Sequence, residues 1–162
     1  MLLVFRCYLE GTLRRLVFLS TLVLAGVVLV ASVAYARTIN CTGSGPCVGT
    51  ARHDLMRGGT GDDGMGGKAG NDRMLGGTGQ DMLKGRDDAD TINGDDGDDR
   101  AKGGGGRDTV NGGAGDDIIR GGSHGGTNDG VHALDCGGGR DTVYFVQGQD
   151  TVTNCEIFNP PE

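Results

Sequence analysis

The chain has no tryptophan, and only 36% of its residues are hydrophobic, against 34 glycines in 162 residues. A sequence this poor in large apolar side chains cannot build an ordinary apolar core. It reads as disordered unless something other than apolar burial holds it together. Past residue 36 the aromatic residues reduce to Tyr144, Phe145 and Phe158, all near the C-terminus. Serine is equally scarce there, with Ser44 and Ser123. Ser123 adjoins His124, but neighbours in sequence rarely form a nucleophile–base pair, so catalysis has little to work with.

The apolar residues that do exist are concentrated at one end. Arg6, Arg14 and Arg15 give a basic start, and Leu16 to Ala34 carries no charge and is mostly Leu, Val and Ala. Ala34-Tyr35-Ala36 then places small residues at the −3 and −1 positions of a cleavage site. This is the layout of a secretory signal peptide, a helix within residues 1–36, cut after Ala36. The alternative is an uncleaved membrane anchor, because about 20 apolar residues also span a bilayer. The membrane is a partner only in that second case. Removing residues 1–36 leaves 21 acidic and 12 basic residues, a net charge of −9. That balance argues against nucleic acid as a partner and suits cations. Of five cysteines, Cys7 leaves with the signal, and Cys41, Cys47, Cys136 and Cys155 remain. An even number in an exported chain points to two disulfides, for which four cysteines permit three pairings.

What the chain has in abundance is a period. Aspartate recurs every nine residues at Asp54, Asp63, Asp72, Asp81, Asp90, Asp99, Asp108 and Asp117. Glycine keeps the same period from Gly49 to Gly112, and two residues after each aspartate stands a mostly apolar residue: Met56, Met65, Met74, Leu83, Ile92, Ala101, Val110 and Ile119. Composition alone would scatter these three features, and a flexible glycine-rich linker would not keep them in phase. The first six residues of each unit read as a turn, in which glycines permit positive φ and let carbonyls point inward. The last three read as a short strand with its apolar residue facing in. Arg73, Lys84, Arg100, Lys102 and Arg120 flank that residue and suit a solvated face. An ice-binding face needs a row of threonines, and Ala69, Asp87, Asp96 and Gly105 interrupt it.

Aspartate at the sixth place points to calcium, a hard cation that takes six to eight oxygens from carboxylates and carbonyls. Stacked turns would sandwich a row of ions, whereas without ions the stacked carboxylates repel. The small inward side chains are too few to offset the entropy of ordering the block, so binding that exists only in the folded state is expected to supply the remainder.

The stretch Gly58-Gly59-Thr60-Gly61-Asp62-Asp63-Gly64-Met65-Gly66 resembles the G-G-x-G-x-D-x-U-x nonapeptide of the RTX, or haemolysin-type, calcium-binding repeats. Gly112 to Arg120 matches in the same way. The resemblance implies an all-β fold: a parallel β-roll, or β-solenoid, with two nonapeptides per coil and several calcium ions shared between turns two repeats apart. Asp54, Asp72, Asp90 and Asp108 would then line one edge, and Asp63, Asp81, Asp99 and Asp117 the other. Several copies depart from the pattern. Arg52 stands in place of a glycine, which makes Asp54 the weakest expected site. Arg86, Asp88 and Asp95 stand at glycine positions, though aspartate tolerates the left-handed region. Fewer filled sites than copies are expected. Many relatives are large toxins or proteases exported through a C-terminal signal. This chain, with an N-terminal one, looks like a small stand-alone bacterial member.

After Arg120 the phase slips. Residues 121–135 read either as one loop or as a degenerate copy, Asn128-Asp129-Gly130-Val131, between two short insertions. Residues 136–162 then restore the pattern with Asp141 and Asp150 and are expected to hold the C-terminal cap, to which the three aromatics are suited. Cys136 and Cys155 lie 19 residues apart, one more than an 18-residue coil, which stacks them on adjacent coils. Cys41 and Cys47 flank a short turn and are expected to close an N-terminal cap over residues 37–48, ahead of the eight-copy roll at 49–120. The pairs are therefore Cys41–Cys47 and Cys136–Cys155. His124, His132, Asp135 and Cys136 together resemble no known zinc spacing and read better as a polar loop beside a structural cysteine. The whole reads as a secreted, extracellular, non-enzymatic calcium-binding module, structural or adhesive. Its protein or cell-surface partner is unspecified, and no small-molecule substrate is evident. The alternatives are a membrane-anchored surface protein presenting the same roll and, more remotely, the remnant of an extracellular hydrolase.

Overall fold

A computed structural model describes residues 36–41, 45–122, 130–146 and 149–159. The expected signal-peptide helix, His124, Asn128 and Asp129 lie outside the described residues. In chain order the strands are β1 (Arg37–Asn40), β2 (Cys47–Val48), β3 (Asp54–Thr60), β4 (Gly64–Lys68), β5 (Arg73–Thr78), β6 (Met82–Arg86), β7 (Thr91–Asp96), β8 (Arg100–Gly104), β9 (Thr109–Ala114), β10 (Ile118–Gly122), β11 (Ala133–Gly138), β12 (Thr142–Tyr144), β13 (Thr151–Thr153) and β14 (Ile157–Asn159). Odd-numbered strands form one seven-stranded sheet and even-numbered strands the other, and each strand pairs with the one two places along. Every pairing is parallel, with Met56 beside Met74 and Met65 beside Leu83, one 18-residue coil apart. The fold is thus an all-strand parallel β-solenoid with two nonapeptides per coil. Among the described residues there is no helix.

Each unit makes one turn and one strand because its glycines fall where the chain reverses. Gly77 and Gly79, the second and fourth residues of their copy, have φ of 110° and 126°, a region glycine occupies freely. The substituted copies keep this geometry: Arg86, Asp88 and Asp95 sit at φ 90°, 73° and 75°. The turns survive substitution because the coils on either side dictate their path. The apolar residue at the eighth place is buried from Met56 and Met65 through Ile119 to Leu134 and Val143, and half-buried at Val152. These side chains, from both sheets, form one narrow cluster.

Two features set the ends. Cys41 is disulfide-bonded to Cys47, and Cys136 to Cys155, with Cα–Cα separations of 5.5 and 5.1 Å. Phe145 packs against the core cluster. Tyr144 does not join it: the ring lies beneath the Arg120 guanidinium, 4.5 Å from it, on the outer side of the sheet. The slip after Arg120 is also resolved. Thr109 pairs with Ala133 and Ile118 with Thr142, so this coil spans 24 residues where the coils from β3 to β10 span 18. The extra length lies between β10 and β11, and β11 begins inside the segment 121–135 that read either as one loop or as a degenerate copy.

Buried Leu83 and exposed Met82 are adjacent in β6. Leu83→Ala is expected to lower stability by about 2–5 kcal/mol, and Met82→Ala by less than about 0.5 kcal/mol. Denaturant unfolding in calcium measures both, and equal effects would contradict the packing described.

Candidate metal centre

The sixth residue of each nonapeptide sits where the turn becomes the strand. Stacking the coils places these residues in two columns, one along each edge of the roll. Asp54, Asp72, Asp90 and Asp108 follow one another on the first edge, and Asp63, Asp81, Asp99, Asp117 and Asp141 on the second. All are buried. In each column the backbone N–H of one aspartate donates to Oδ1 of the aspartate one coil later, at 2.8 Å. In every aspartate after the first of each column, half of the carboxylate is thereby used as a structural acceptor between coils.

The other half is not. Oδ2 of Asp63, Asp72, Asp81, Asp90, Asp99, Asp108, Asp117 and Asp141 is buried without a hydrogen-bond partner. An isolated buried oxygen of this kind is costly and uncommon. A backbone carbonyl stands close by. A Cβ on Gly76 would collide with Oδ2 of Asp81 and with the carbonyl oxygen of Gly94 in the next coil. The same arrangement holds at Gly67 with Asp72 and Gly85, and at Gly85 with Asp90 and Gly103. The first glycine of the motif is therefore required by close approach, not by φ. The donors offered are all oxygen, part carboxylate and part carbonyl, which is the chemistry of a hard cation such as calcium.

Burial raises the carboxyl pKa above the ordinary value. Desolvation is the main cause at Asp90, pushed up to about 7, with Asp108, Asp72 and Asp88 adding repulsion. Burial likewise lifts Asp117 to about 7 and Asp99 to about 6, each reinforced by neighbouring aspartates. Asp72, Asp81 and Asp141 move in the same direction for the same reason. In each case the hydrogen bond donated by the preceding coil acts in the opposite direction, but burial outweighs it.

The column ends differ. Oδ2 of Asp54 accepts from the Thr50 N–H at 2.6 Å and from the Thr50 hydroxyl at 2.8 Å, as befits the copy in which Arg52 stands for glycine. Half-buried Asp150 has both oxygens engaged, by the His132 and Val146 N–H groups at 2.9 and 2.7 Å. Two residues at sixth places were not read from the sequence. His132 takes the place after Asp108, with Nδ1 3.3 Å from Asp108 Oδ2. Glu156 takes the place after Asp141 and accepts its N–H at 2.9 Å. The available signal was the apolar residue two places on, Leu134 and Phe158. The group His132, Asp135 and Cys136 does not assemble as a zinc site, since Cys136 is in a disulfide and His132 faces Asp108. Among the described residues no three His, Cys, Asp or Glu side chains converge to hold a metal by themselves. An ion on these edges therefore has to draw on carbonyls as well.

Residues 48–63, 66–101 and 93–123 match the family model described as RTX calcium-binding nonapeptide repeat (4 copies). No curated protein matches the chain. The repeat match and the β-solenoid together support calcium binding by a β-roll.

The raised pKa values carry a sign. A carboxyl whose folded pKa exceeds its unfolded value stabilises the fold while protonated and loses that contribution as pH rises through the folded pKa. In a chelator, circular dichroism should therefore show more β structure at about pH 5 than at pH 8, with stability falling from the ordinary carboxyl range up to about 6–7, where Asp99, Asp90 and Asp117 ionise in the folded roll. Loss of order on acidification would contradict this.

Proposed function

We propose, from the premise that residues 48–123 are RTX calcium-binding nonapeptide repeats, that this chain is an exported calcium-binding β-roll whose folding is coupled to the ions it takes up. Its role is structural or adhesive, outside the cell. The observation that carries the reading is the column of buried Oδ2 atoms without hydrogen-bond partners, which from Asp63 to Asp117 stand near a main-chain carbonyl of the next coil. Asp63, Asp72, Asp81, Asp90, Asp99, Asp108, Asp117 and Asp141 are the carboxylate ligands in this reading. Asp54, whose Oδ2 accepts from Thr50 while its Oδ1 is buried without a partner, and Asp150, with both oxygens engaged, contribute least. Bound calcium would neutralise the stacked carboxylates and tie successive coils together, so binding energy becomes folding energy. Two disulfides are the chemistry of an oxidising compartment and favour export. A second reading, an anchored surface protein presenting the same roll, is favoured by the uncharged stretch Leu16–Ala34.

Calcium titration followed by circular dichroism tests the function. The β signal is expected to rise in one cooperative step. Asp90→Asn should raise the calcium midpoint on the order of ten-fold, and Asp54→Asn should leave it within about two-fold. A spectrum indifferent to calcium would refute the proposal. N-terminal sequencing of the exported protein separates the two readings: a start at Arg37 rules out the anchor, and an intact N-terminus rules out cleavage.

A further inference from the structure

The first aspartate column has a defect at its head. Asp72, Asp90 and Asp108 each accept, at Oδ1, the N–H of the sixth-place residue one coil earlier. Asp54 does not. It is 2% exposed, and its Oδ1 is buried without a hydrogen-bond partner. Its Oδ2 is held by the Thr50 N–H and hydroxyl at 2.6 and 2.8 Å. That grip fixes the carboxylate and leaves Oδ1 as the unsatisfied atom, a costly state for a buried oxygen.

The residue in register with Asp54 one coil earlier is Arg37, the first residue of β1. Its nitrogen takes, towards Asp54, the place that the Asp54 nitrogen takes towards Asp72. The two residues are 17 apart where later pairs are 18 apart, and the Arg37 peptide N–H does not make the bond. Arg37 is also the residue that follows the small-residue signature Ala34-Tyr35-Ala36. The compact roll begins at Ala36, so the expected cut falls at its first strand with no spacer between. Hydrolysis of the Ala36–Arg37 bond by a signal peptidase consumes one water. The Ala36 carboxylate leaves with the leader, and the Arg37 nitrogen becomes an α-amine, protonated at neutral pH.

We propose that the α-ammonium freed at Arg37 docks on Asp54 Oδ1 and clamps the first coil of the roll. A bond from an ammonium to a carboxylate is charge-assisted and stronger than one from a neutral amide. It supplies, at the head of the first column, the positive charge that calcium brings further down. Processing then completes the fold. The leader-bearing chain has at this place a peptide nitrogen that is uncharged and tied to Ala36, whereas the mature chain has a cation with three donors and no upstream chain. The clamp rests on the exported reading above, in which the mature protein starts at Arg37.

The test uses the exported protein in calcium, sequenced from its N-terminus. It is compared with the same protein whose α-amine has been converted to a ketone by transamination, a reaction that spares lysine. Asp54→Asn is treated in the same two ways. Hydrogen exchange is followed at the Cys41 amide, which bonds the Arg57 carbonyl at 2.7 Å and reports docking of the first coil. Removing the ammonium is expected to speed this exchange on the order of ten-fold. Asp54→Asn should do the same, and transamination of that variant should add less than about two-fold. Shared among several ions taken up in one step, the same change moves the calcium midpoint by less than about two-fold. Equal exchange with and without the ammonium overturns the proposal, as does an undiminished effect of transamination in Asp54→Asn. A start other than Arg37 overturns it by defeating the cleavage on which it rests, whereas a start at Arg37 with no response to transamination defeats the clamp alone. Should the transaminated protein fail to refold, the rate of transamination in calcium carries the test. It should be on the order of ten-fold faster in Asp54→Asn than in the wild type, and equal rates overturn the clamp.

Discussion

The structure depends on one contact repeated along both edges: an aspartate N–H donating to the carboxylate of the aspartate one coil further on, at 2.8 Å. It joins each turn to the next where the regular ladder of the strands has not yet begun. It also fixes the carboxylate so that one oxygen is used and the other is buried without a partner. An arrangement that places the structural bond and the electrostatic strain in a single side chain is favourable only when something positive relieves the strain. Calcium is the relief that the oxygen-only surroundings and the repeat family both support.

The remainder of the molecule is consistent with a fold held at its edges. Its core is a double column one side chain deep, and at Ala101 the column thins to a methyl group. The turn glycines are required by sterics, some for a positive φ and some because carbonyl and carboxylate oxygens crowd the α-carbon. Toward the ends of the described roll, coils are closed covalently by Cys41–Cys47 and Cys136–Cys155. Solenoids need their ends protected in some such way.

Much of this was legible in the sequence because the period of nine couples local turn chemistry to long-range stacking. Once Asp54 to Asp117 and the apolar residues two places on were in phase, the inward column followed, and the coil of two units came from the family resemblance. The region after Arg120 was harder, since an insertion breaks phase without breaking stacking. The fold keeps the sixth place occupied by whatever can accept or complement a neighbour, so His132 and Glu156 stand there. Tyr144 was grouped with the capping aromatics by chain position, although its place beside Val143 turns it outward to Arg120.

Hydrogen exchange at the aspartate amides tests the central claim most directly. The N–H groups of Asp63, Asp72, Asp81, Asp90 and Asp99 are bonded only through the carboxylates of the next coil. With calcium they should exchange slowly and as one cooperative group. On its removal at neutral pH they should become exposed together. Protection that is the same with and without calcium would show that the carboxylate ladder stands without an ion, and would contradict the account.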